Sequence, residues 1–246
     1  MAIQEVVPGK PQETHARPAA SGTLVAAPPL LESGDRMTRR EFERRYRPLP
    51  RLKKAELIEG VVYMPSPVHY AGHAEPHSHI IGWLVTYCAA TPGVKLADNA
   101  AVRLDIDNEV QPDALLRLEP ATGGRSHISE DDYIEGPPEL LVEIAASSAT
   151  IDLREKLRVY QRNGAQEYIV WQVYDKRIDW FHLSEGEYVP SKPDESGVIH
   201  SLAFPGLRLA VSALLEGNLA QVLAVLQQGL ATAEHIEFAA RVVEKN

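Results

Sequence analysis

The chain has 246 residues, of which 44% are hydrophobic, and a formal net charge of −9. This length and composition suit one well-packed domain with tails, and no apolar run reaches the ~20 residues that a membrane span needs. The excess of acid gives no general attraction to a polyanion, which argues against tight, sequence-independent binding of nucleic acid. The single cysteine, Cys88, cannot form an internal disulfide, which favours a cytoplasmic protein.

The first 35 residues carry five prolines among small residues and show neither helical nor alternating periodicity. This composition is typical of a flexible N-terminal arm. We therefore predict an arm over residues 1–35, a folded domain over 36–215 and a helical tail over 216–246.

Basic residues are concentrated directly after the arm. Between Arg36 and Lys54 there are nine basic residues against two acids. The spacing of Thr38 and Glu41 predicts a capping box and a short helix to about Tyr46. The basic side chains form either a solvated helix face or a strip that contacts phosphates. The strip's candidate contacts are Arg44, Arg45 and Arg47.

Two short strands and a helix come next. Residues 56–64 predict two strands about a turn at Gly60, and apolar residues at helical spacing predict a helix from about His77 to Thr91. Histidines lie four residues apart at His69, His73 and His77, so one helical face could present imidazoles to a transition metal. Pro76 argues against a regular helix there.

Short strands are also predicted over 94–96, 101–104 and around 111–113. The segment 122–135 is rich in glycine, serine and acids. It predicts an exposed loop with a short helix near Glu130, placed where a substrate could cross the site.

Two acids stand in or beside apolar runs. Glu143 interrupts Leu140–Ala145, which predicts a buried strand, and a buried charge needs a cation, a lysine or an acid that shares the site. Asp113 heads the run 114–116. Two acids on neighbouring strands with a lysine nearby would suit a divalent metal and phosphodiester hydrolysis. The alternatives are a turn or strand cap for Asp113 and a solvent-reaching edge position for Glu143.

A helix follows this strand, because Leu153, Leu157 and Tyr160 recur at helical spacing before a stop at residues 163–164. Tyr160 is expected in the core, with its hydroxyl near the site. Lys156 lies at the border of the buried face. It can either reach the strand or pair with Asp152 on a solvated flank.

The remaining pattern predicts strands over 167–173, 177–183, 187–190 and 204–209. An amphipathic helix is then predicted from about Ser212 to Leu230, and 234–245 continues helically. Alternating strands and helices predict an α/β architecture, a mixed sheet flanked by helices and followed by a C-terminal amphipathic helix.

Several of these segments together resemble the Uma-type family of putative restriction endonucleases, which belongs to the PD-(D/E)XK nuclease superfamily. The resemblance spans roughly residues 37–215. It implies a restriction-endonuclease-like fold, cleavage of DNA with Mg²⁺ or Mn²⁺, and a homodimer. The matching segments are Pro112-Asp113, Glu143, 152–160, 164–168, 56–60 with Met64, and His77.

The resemblance also implies roles for individual residues. Asp113 and Glu143 would hold the metal together with the carbonyl of Ile144. The superfamily's usual lysine position holds Ala145, and the family's lysine comes instead from the following helix, as Lys156. The supporting residues implied by the match are Glu56, His77, Asp152 and Tyr160.

Two other functions are consistent with the sequence. The net negative charge and the altered strand motif would fit a protein that keeps the fold for binding or scaffolding without catalysis. The spaced histidines would fit a histidine-centred metallohydrolase, although the His-Glu-x-x-His pattern is absent.

Overall fold

The computed structural model describes residues 28–64, 69–146 and 148–244. The predicted flexible arm therefore lies largely outside the described residues, which include only 28–35 of it. The boundaries predicted for the domain and the tail stay predictions. Within these described ranges, no helix is long and apolar enough to cross a membrane.

A six-stranded mixed sheet forms the centre of the fold. Its strands are β3 (Val94–Asp98), β6 (Ala114–Leu118), β9 (Leu140–Ala145), β10 (Glu167–Gln172), β11 (Arg177–Ser184) and β12 (Glu187–Pro190). Their spatial order is β12-β11-β10-β9-β6-β3, with β9 and β10 parallel and the other neighbours antiparallel. All six residues of β9 are buried, which explains its nearly continuous apolar sequence. The predicted mixed sheet is confirmed.

A second six-stranded sheet lies earlier in the chain. Its strands are β1 (Glu56–Ile58), β2 (Val61–Tyr63), β4 (Val102–Asp105), β5 (Asn108–Val110), β7 (His127–Ile128) and β8 (Ile134–Glu135), in the order β2-β1-β5-β4-β8-β7. The predicted turn between β1 and β2 is confirmed, and Glu59 and Gly60 both take positive φ there, 51° and 73°. The chain crosses from the second sheet to the central one at residues 111–113, between β5 and β6.

Helices pack on the two sheets, and the fold also contains a small third sheet of two strands. The helices are α1 (Arg39–Tyr46), α2 (Glu75–Ala90), α3 (Ala149–Ile151), α4 (Leu157–Asn163), α5 (Val211–Leu215), α6 (Leu219–Leu230) and α7 (Ala233–Glu244); the third sheet pairs β13 (Val198–His200) with β14 (Arg208–Ala210). Two π-helical segments interrupt this regular pattern. Tyr70–Ala74 precedes α2, and Asp152–Lys156 joins α3 to α4.

Helical structure begins earlier than predicted before α2. The π-helical turn starts at Tyr70, and Ala74 N–H donates to the carbonyl of His69 at 3.1 Å. Pro76 then occupies the first turn of α2, where a missing N–H costs no intrahelical hydrogen bond. Pro76 is therefore compatible with helical structure on both sides.

The predicted C-terminal helix is two helices rather than one through Leu230. The helix is interrupted at Gly217, whose φ is +73°. The side chain of Asn218 then caps α6 by accepting the Gln221 N–H at 3.1 Å. The break lets α6 and α7 pack against α2 in one core. The buried residues of this core include Trp83, Leu84, Val222, Leu226, Phe238 and Val242.

Three local predictions are wrong. Residues 111–113 do not form a strand, because β5 ends at Val110 and β6 begins at Ala114. The segment near Glu130 is a turn and not a helix, because Ser129 N–H donates to the Tyr133 carbonyl at 2.8 Å and Asp132 takes a positive φ. The last strand begins at Arg208, because residues 204–207 form a turn closed by the Leu207 N–H to the Phe204 carbonyl, 3.0 Å.

Candidate active site

Glu143 lies in the middle of the central sheet. Its strand β9 is flanked by β10 and β6, and Glu143 pairs in register with Val170. The side chain points to the same face as Leu141 and Ala145, the face that α4 covers, and it is only 3% exposed. The edge-strand alternative for Glu143 is therefore wrong, and its carboxylate needs partners inside the protein.

Lys156 supplies the nearest partner. Its Nζ donates to Glu143 Oε1 at 2.9 Å and lies 3.0 Å from Glu56 Oε1 and 3.6 Å from Asp152 Oδ1. Lys156 is 3% exposed, so the pair with Asp152 exists but does not lie on a solvated flank. The residue ends the π-helical segment, and such wider turns are frequent at functional sites. The ammonium therefore stands among three buried carboxylates.

Aromatic and hydroxyl groups fix these acids from the helix side. Tyr160 O–H donates to Glu143 Oε1 at 2.9 Å, and Ser148 O–H donates to Asp152 Oδ2 at 2.6 Å. Tyr168 O–H donates to the main-chain carbonyl of Asp152 at 3.0 Å. Tyr160 is thus a core residue whose hydroxyl reaches the cluster, as predicted from its place on the apolar helix face.

Glu56 joins the cluster from the second sheet. It opens β1 and is 5% exposed, and its Oε1 accepts the Gln111 main-chain N–H at 2.7 Å as well as facing Lys156. The contact ties the chain crossing at 111–113 to β1. Glu56 therefore connects the two sheets at the site.

Asp113 lies on that crossing, immediately before β6. Its Oδ2 accepts the Ile144 N–H at 2.7 Å, and its Oδ1 lies 3.2 Å from His73 Nε2 and 3.4 Å from Lys54 Nζ. Burial opposes ionisation of Asp113, but these three groups outweigh it and hold the pKa of Asp113 below its usual range. Because Ile144 follows Glu143, the hydrogen bond places the two acids side by side. Within the described residues, the Asp113 carboxylate accepts no hydrogen bond from its own neighbours in sequence, so it does not cap a turn.

His77 contacts Asp113 through the main chain. Its Nε2 lies 3.0 Å from the Asp113 carbonyl and 3.2 Å from Asp98 Oδ1. Its ring stacks on His73 with centroids 5.6 Å apart. The two histidines therefore brace Asp113, one at the carboxylate and one at the carbonyl.

Burial and charge act together on the Glu143–Lys156 pair. Burial raises the pKa of Glu143 to about 8; Lys156 opposes this rise, while Asp152, Asp113 and Glu56 add to it. Burial opposes the charge on Lys156, but Glu143, Glu56 and Asp152 raise its pKa well above the usual value. The ammonium therefore stays charged, and the cluster holds more carboxyl groups than it can neutralise.

The donor set fits a hard divalent cation. Fully ionised, four carboxylates face two lysines, an excess of two negative charges, and no residue in the described ranges donates a hydrogen bond to Glu143 Oε2. Those ranges contain no group of three or more His, Cys, Asp or Glu side chains placed to hold a metal. Mg²⁺ needs only one or two protein carboxylates, because it keeps several waters. A structural zinc site of imidazoles needs more protein ligands, which the histidines do not supply.

The basic strip is partly neutralised within α1. Arg44 and Arg45 both bind Glu41, at 2.7 and 2.6 Å, and they lower the pKa of Glu41 to about 2. Arg47 is exposed and lies 3.8 Å from Asp131. Thr38 makes no side-chain cap hydrogen bond, so the helix was predicted correctly but the capping box was wrong, because Glu41 pairs with the arginines instead.

Two site residues were not predicted as such. By sequence, Lys54 belongs to the basic strip, yet it precedes Glu56 by two residues, and that spacing puts both on one side of an extended chain. The sequence indicates His73 only as a metal ligand, although its spacing of four from His77 does indicate a shared helical face. Both residues contact the carboxylate of Asp113.

Comparisons with known proteins agree with this geometry. Residues 39–212 match the model of the Uma2 family, described as "Putative restriction endonuclease". A crystal structure of a putative nuclease from Anabaena variabilis superimposes with a TM-score of 0.52 and 13% identity, covering 67% of this chain and 90% of that one. At this identity the likeness shows the fold alone, which is restriction-endonuclease-like. A search among curated proteins finds no match.

Proposed function

Since the chain belongs to the Uma2 family of putative restriction endonucleases, we propose that it is a metal-dependent endonuclease that hydrolyses phosphodiester bonds in DNA. The observation that carries the proposal is the buried cluster of four carboxylates and two lysines at the meeting of the two sheets. An uncompensated buried acid is costly. A divalent cation would remove that cost and supply the chemistry.

Asp113 and Glu143 are the proposed metal ligands, with the main-chain carbonyl of Ile144 as a third. The chemistry supplied by Mg²⁺ or Mn²⁺ is neutralisation of charge at the phosphate and activation of water for attack. The protein holds the two carboxylates in place beforehand. Ile144 N–H orients Asp113, and Tyr160 O–H orients Glu143.

Lys156 is the proposed catalytic cation. Its pKa keeps it charged, and as a buried ammonium it can stabilise the negative charge that develops on phosphate oxygens in the transition state. Glu56 and Asp152 position it by flanking Nζ. Lys54 contacts Asp113 and is less buried than Lys156. It can therefore contact the phosphate from the solvent side of the cluster.

The resemblance also supports a homodimer, and the single cysteine supports a cytoplasmic location. Both are parts of the proposal. Light scattering of the purified protein tests the dimer.

The proposal is tested by incubating the protein with plasmid and linear DNA, with Mg²⁺, Mn²⁺ or EDTA, and with RNA as a comparison substrate. We expect cleavage of DNA that requires metal and is lost in Glu143→Gln and Asp113→Ala. Glu167→Gln is the matched control, because Glu167 is an equally buried glutamate on the neighbouring strand, outside the cluster. Calorimetry with Mg²⁺ should show binding to the wild type and its loss in Asp113→Ala.

Two results would contradict the proposal. Equal metal binding by the wild type and Asp113→Ala would remove Asp113 from the site. Absence of cleavage under all conditions by a folded protein that binds DNA would favour a nuclease fold used only for binding.

A further inference from the structure

A second concave site lies beside the cluster and is not used by the chemistry above. It has a volume of about 390 Å³ and is formed by α1, the start of β1, the end of β5 and the turn between β7 and β8. The residues that define its chemistry are Tyr46, Asn99, Glu109, Gln111, Asp132 and Tyr133. Gln111 belongs to both sites, because its main-chain N–H binds Glu56. A ligand in this cavity is therefore adjacent to the catalytic cluster.

The charges of the cavity exclude phosphate as its occupant. Glu109, Asp131 and Asp132 line it against a single lysine, Lys53. Acids repel a phosphate, but they accept hydrogen bonds from amino and imino groups. The ligand that fits therefore places no anionic group in the cavity and carries N–H donors.

Aromatic side chains add a second requirement. Tyr46 and Tyr133 both line the cavity and are half-buried. The guanidinium of Arg103 lies 3.7 Å from the ring centroid of Tyr133 and covers one face of the ring, while Tyr133 itself lines the cavity. A flat ligand can stack on such a face, and every nucleobase has one.

Glu109 places a buried carboxyl group, with one unpartnered oxygen among the described residues and a raised pKa, at the cavity wall. It is 3% exposed, and its Oε2 has no hydrogen-bond partner among the described residues, although Arg103 Nε lies 3.7 Å away. Burial first, and then the neighbouring Glu43, raise the pKa of Glu109 to about 7, while Arg103 opposes the rise. Near neutral pH this carboxyl can therefore accept a hydrogen bond or, when protonated, donate one.

We propose that this cavity binds an unstacked nucleobase that carries an amino group, from a nucleotide next to the one whose phosphate is cleaved. Tyr133 and Tyr46 contact the faces of the base, and Glu109, Asn99 and the Gln111 side chain contact its edge. Reading a base outside the stack is a known means of selectivity in enzymes that act on nucleic acids. This inference deepens the proposed function and rests on it only for the place of the cleaved phosphate.

The test measures binding rather than cleavage, so that it stands apart from the nuclease assay. A set of labelled single-stranded DNA oligonucleotides, each with one abasic site at a different position, is titrated with Glu143→Gln protein in fluorescence anisotropy. We expect about tenfold weaker binding when the abasic site falls at one position, the scale of one lost base stack. In Glu143→Gln/Tyr133→Ala, every oligonucleotide should bind with the same weakened affinity.

Two further variants guard against a misfolded protein. Tyr133→Phe keeps the ring and should keep the position-dependent profile, and Ile106→Ala, at an exposed apolar side chain, should behave like its parent. Glu109→Gln should change which base is preferred at the sensitive position. A flat profile in Glu143→Gln, or an unchanged profile in Glu143→Gln/Tyr133→Ala, would overturn the proposal. Absence of cleavage together with a position-dependent profile would refute the nuclease and keep the base site.

Discussion

Replacing Lys156 by alanine removes the ammonium that lies among Glu56, Glu143 and Asp152. The three carboxylates stand 3.0, 2.9 and 3.6 Å from Nζ, and all are at most 5% exposed. Loss of one partner from a buried ion pair costs about 3–5 kcal/mol. Burial already raises the pKa of Glu143 to about 8 with the ammonium present, so the variant can take up a proton. We therefore expect a loss near the lower end of that range.

The sign of the pH dependence follows from this proton. Lys156 lowers the pKa of Glu143 in the wild type, so its removal lets the folded variant keep a carboxyl proton to higher pH than the wild type does, whereas the unfolded state releases that proton near its ordinary pKa. The free energy of unfolding should then fall as pH rises, so Lys156→Ala is destabilised more at pH 9 than at pH 6. Urea unfolding at both values measures this difference.

Catalysis should suffer more than metal binding. Asp113 and Glu143 remain in Lys156→Ala, so calorimetry with Mg²⁺ should still detect binding. Cleavage should fall on the order of a hundredfold or more, the scale found when one charge-stabilising donor is deleted. Lys95→Ala, at an exposed lysine of the same sheet, is the control and should match the wild type. Near wild-type cleavage by a folded Lys156→Ala protein would refute the catalytic role, and unchanged stability would refute the ion-pair account.

The other predictions concern residues outside the cluster. Burial raises the pKa of Glu167 from 4.5 to about 7 despite its hydrogen bonds, so between these pH values the folded state holds a proton that the unfolded state has lost. The free energy of unfolding should therefore fall by about 3 kcal/mol as pH rises through that window; Glu167→Gln should flatten the slope in urea titrations, and an identical slope would exclude Glu167 as its source. Neutralising Arg44, Arg45 and Arg47 should weaken DNA binding and reduce its dependence on salt, whereas binding that stays the same across salt concentrations would leave these residues as a solvated helix face.

The fold was largely predictable because most of its elements have local signals. The bounds of β9 and β12 agree with their apolar or alternating runs, and Gly60 and Gly164 mark the turns where positive φ is needed. The break at Gly217 was missed because leucines continue at helical spacing on both sides of it. The π-helical segments have no comparable signal in the sequence. In Asp152–Lys156 and the helix that follows, the apolar residues recur at the spacing of an ordinary α-helix.

The sequence predicted which residues belong to the site better than it predicted the contacts among them. Glu143 was identified because a charge inside an apolar run needs a partner, and Lys156 because of the family resemblance. The contact of Lys156 with Glu56 joins residues a hundred positions apart, and no local pattern encodes such a contact. Lys54 was not predicted as a site residue because it lies among basic residues, and its charge fits a surface strip equally well.

The crossover between β9 and β10 has a consequence for the order in which the site assembles. Glu143 and Lys156 are 13 residues apart in sequence, and Tyr160 follows Lys156 by four residues. The other contacts are of longer range. Asp113 and Ile144 are 31 residues apart, and Glu56 and Lys156 are about a hundred residues apart. Closing a short loop costs less entropy than closing a long one, and contacts of low sequence separation form faster. We expect the glutamate, lysine and tyrosine to meet early in folding, so that a compensated charge pair exists before Glu56 and Asp113 arrive.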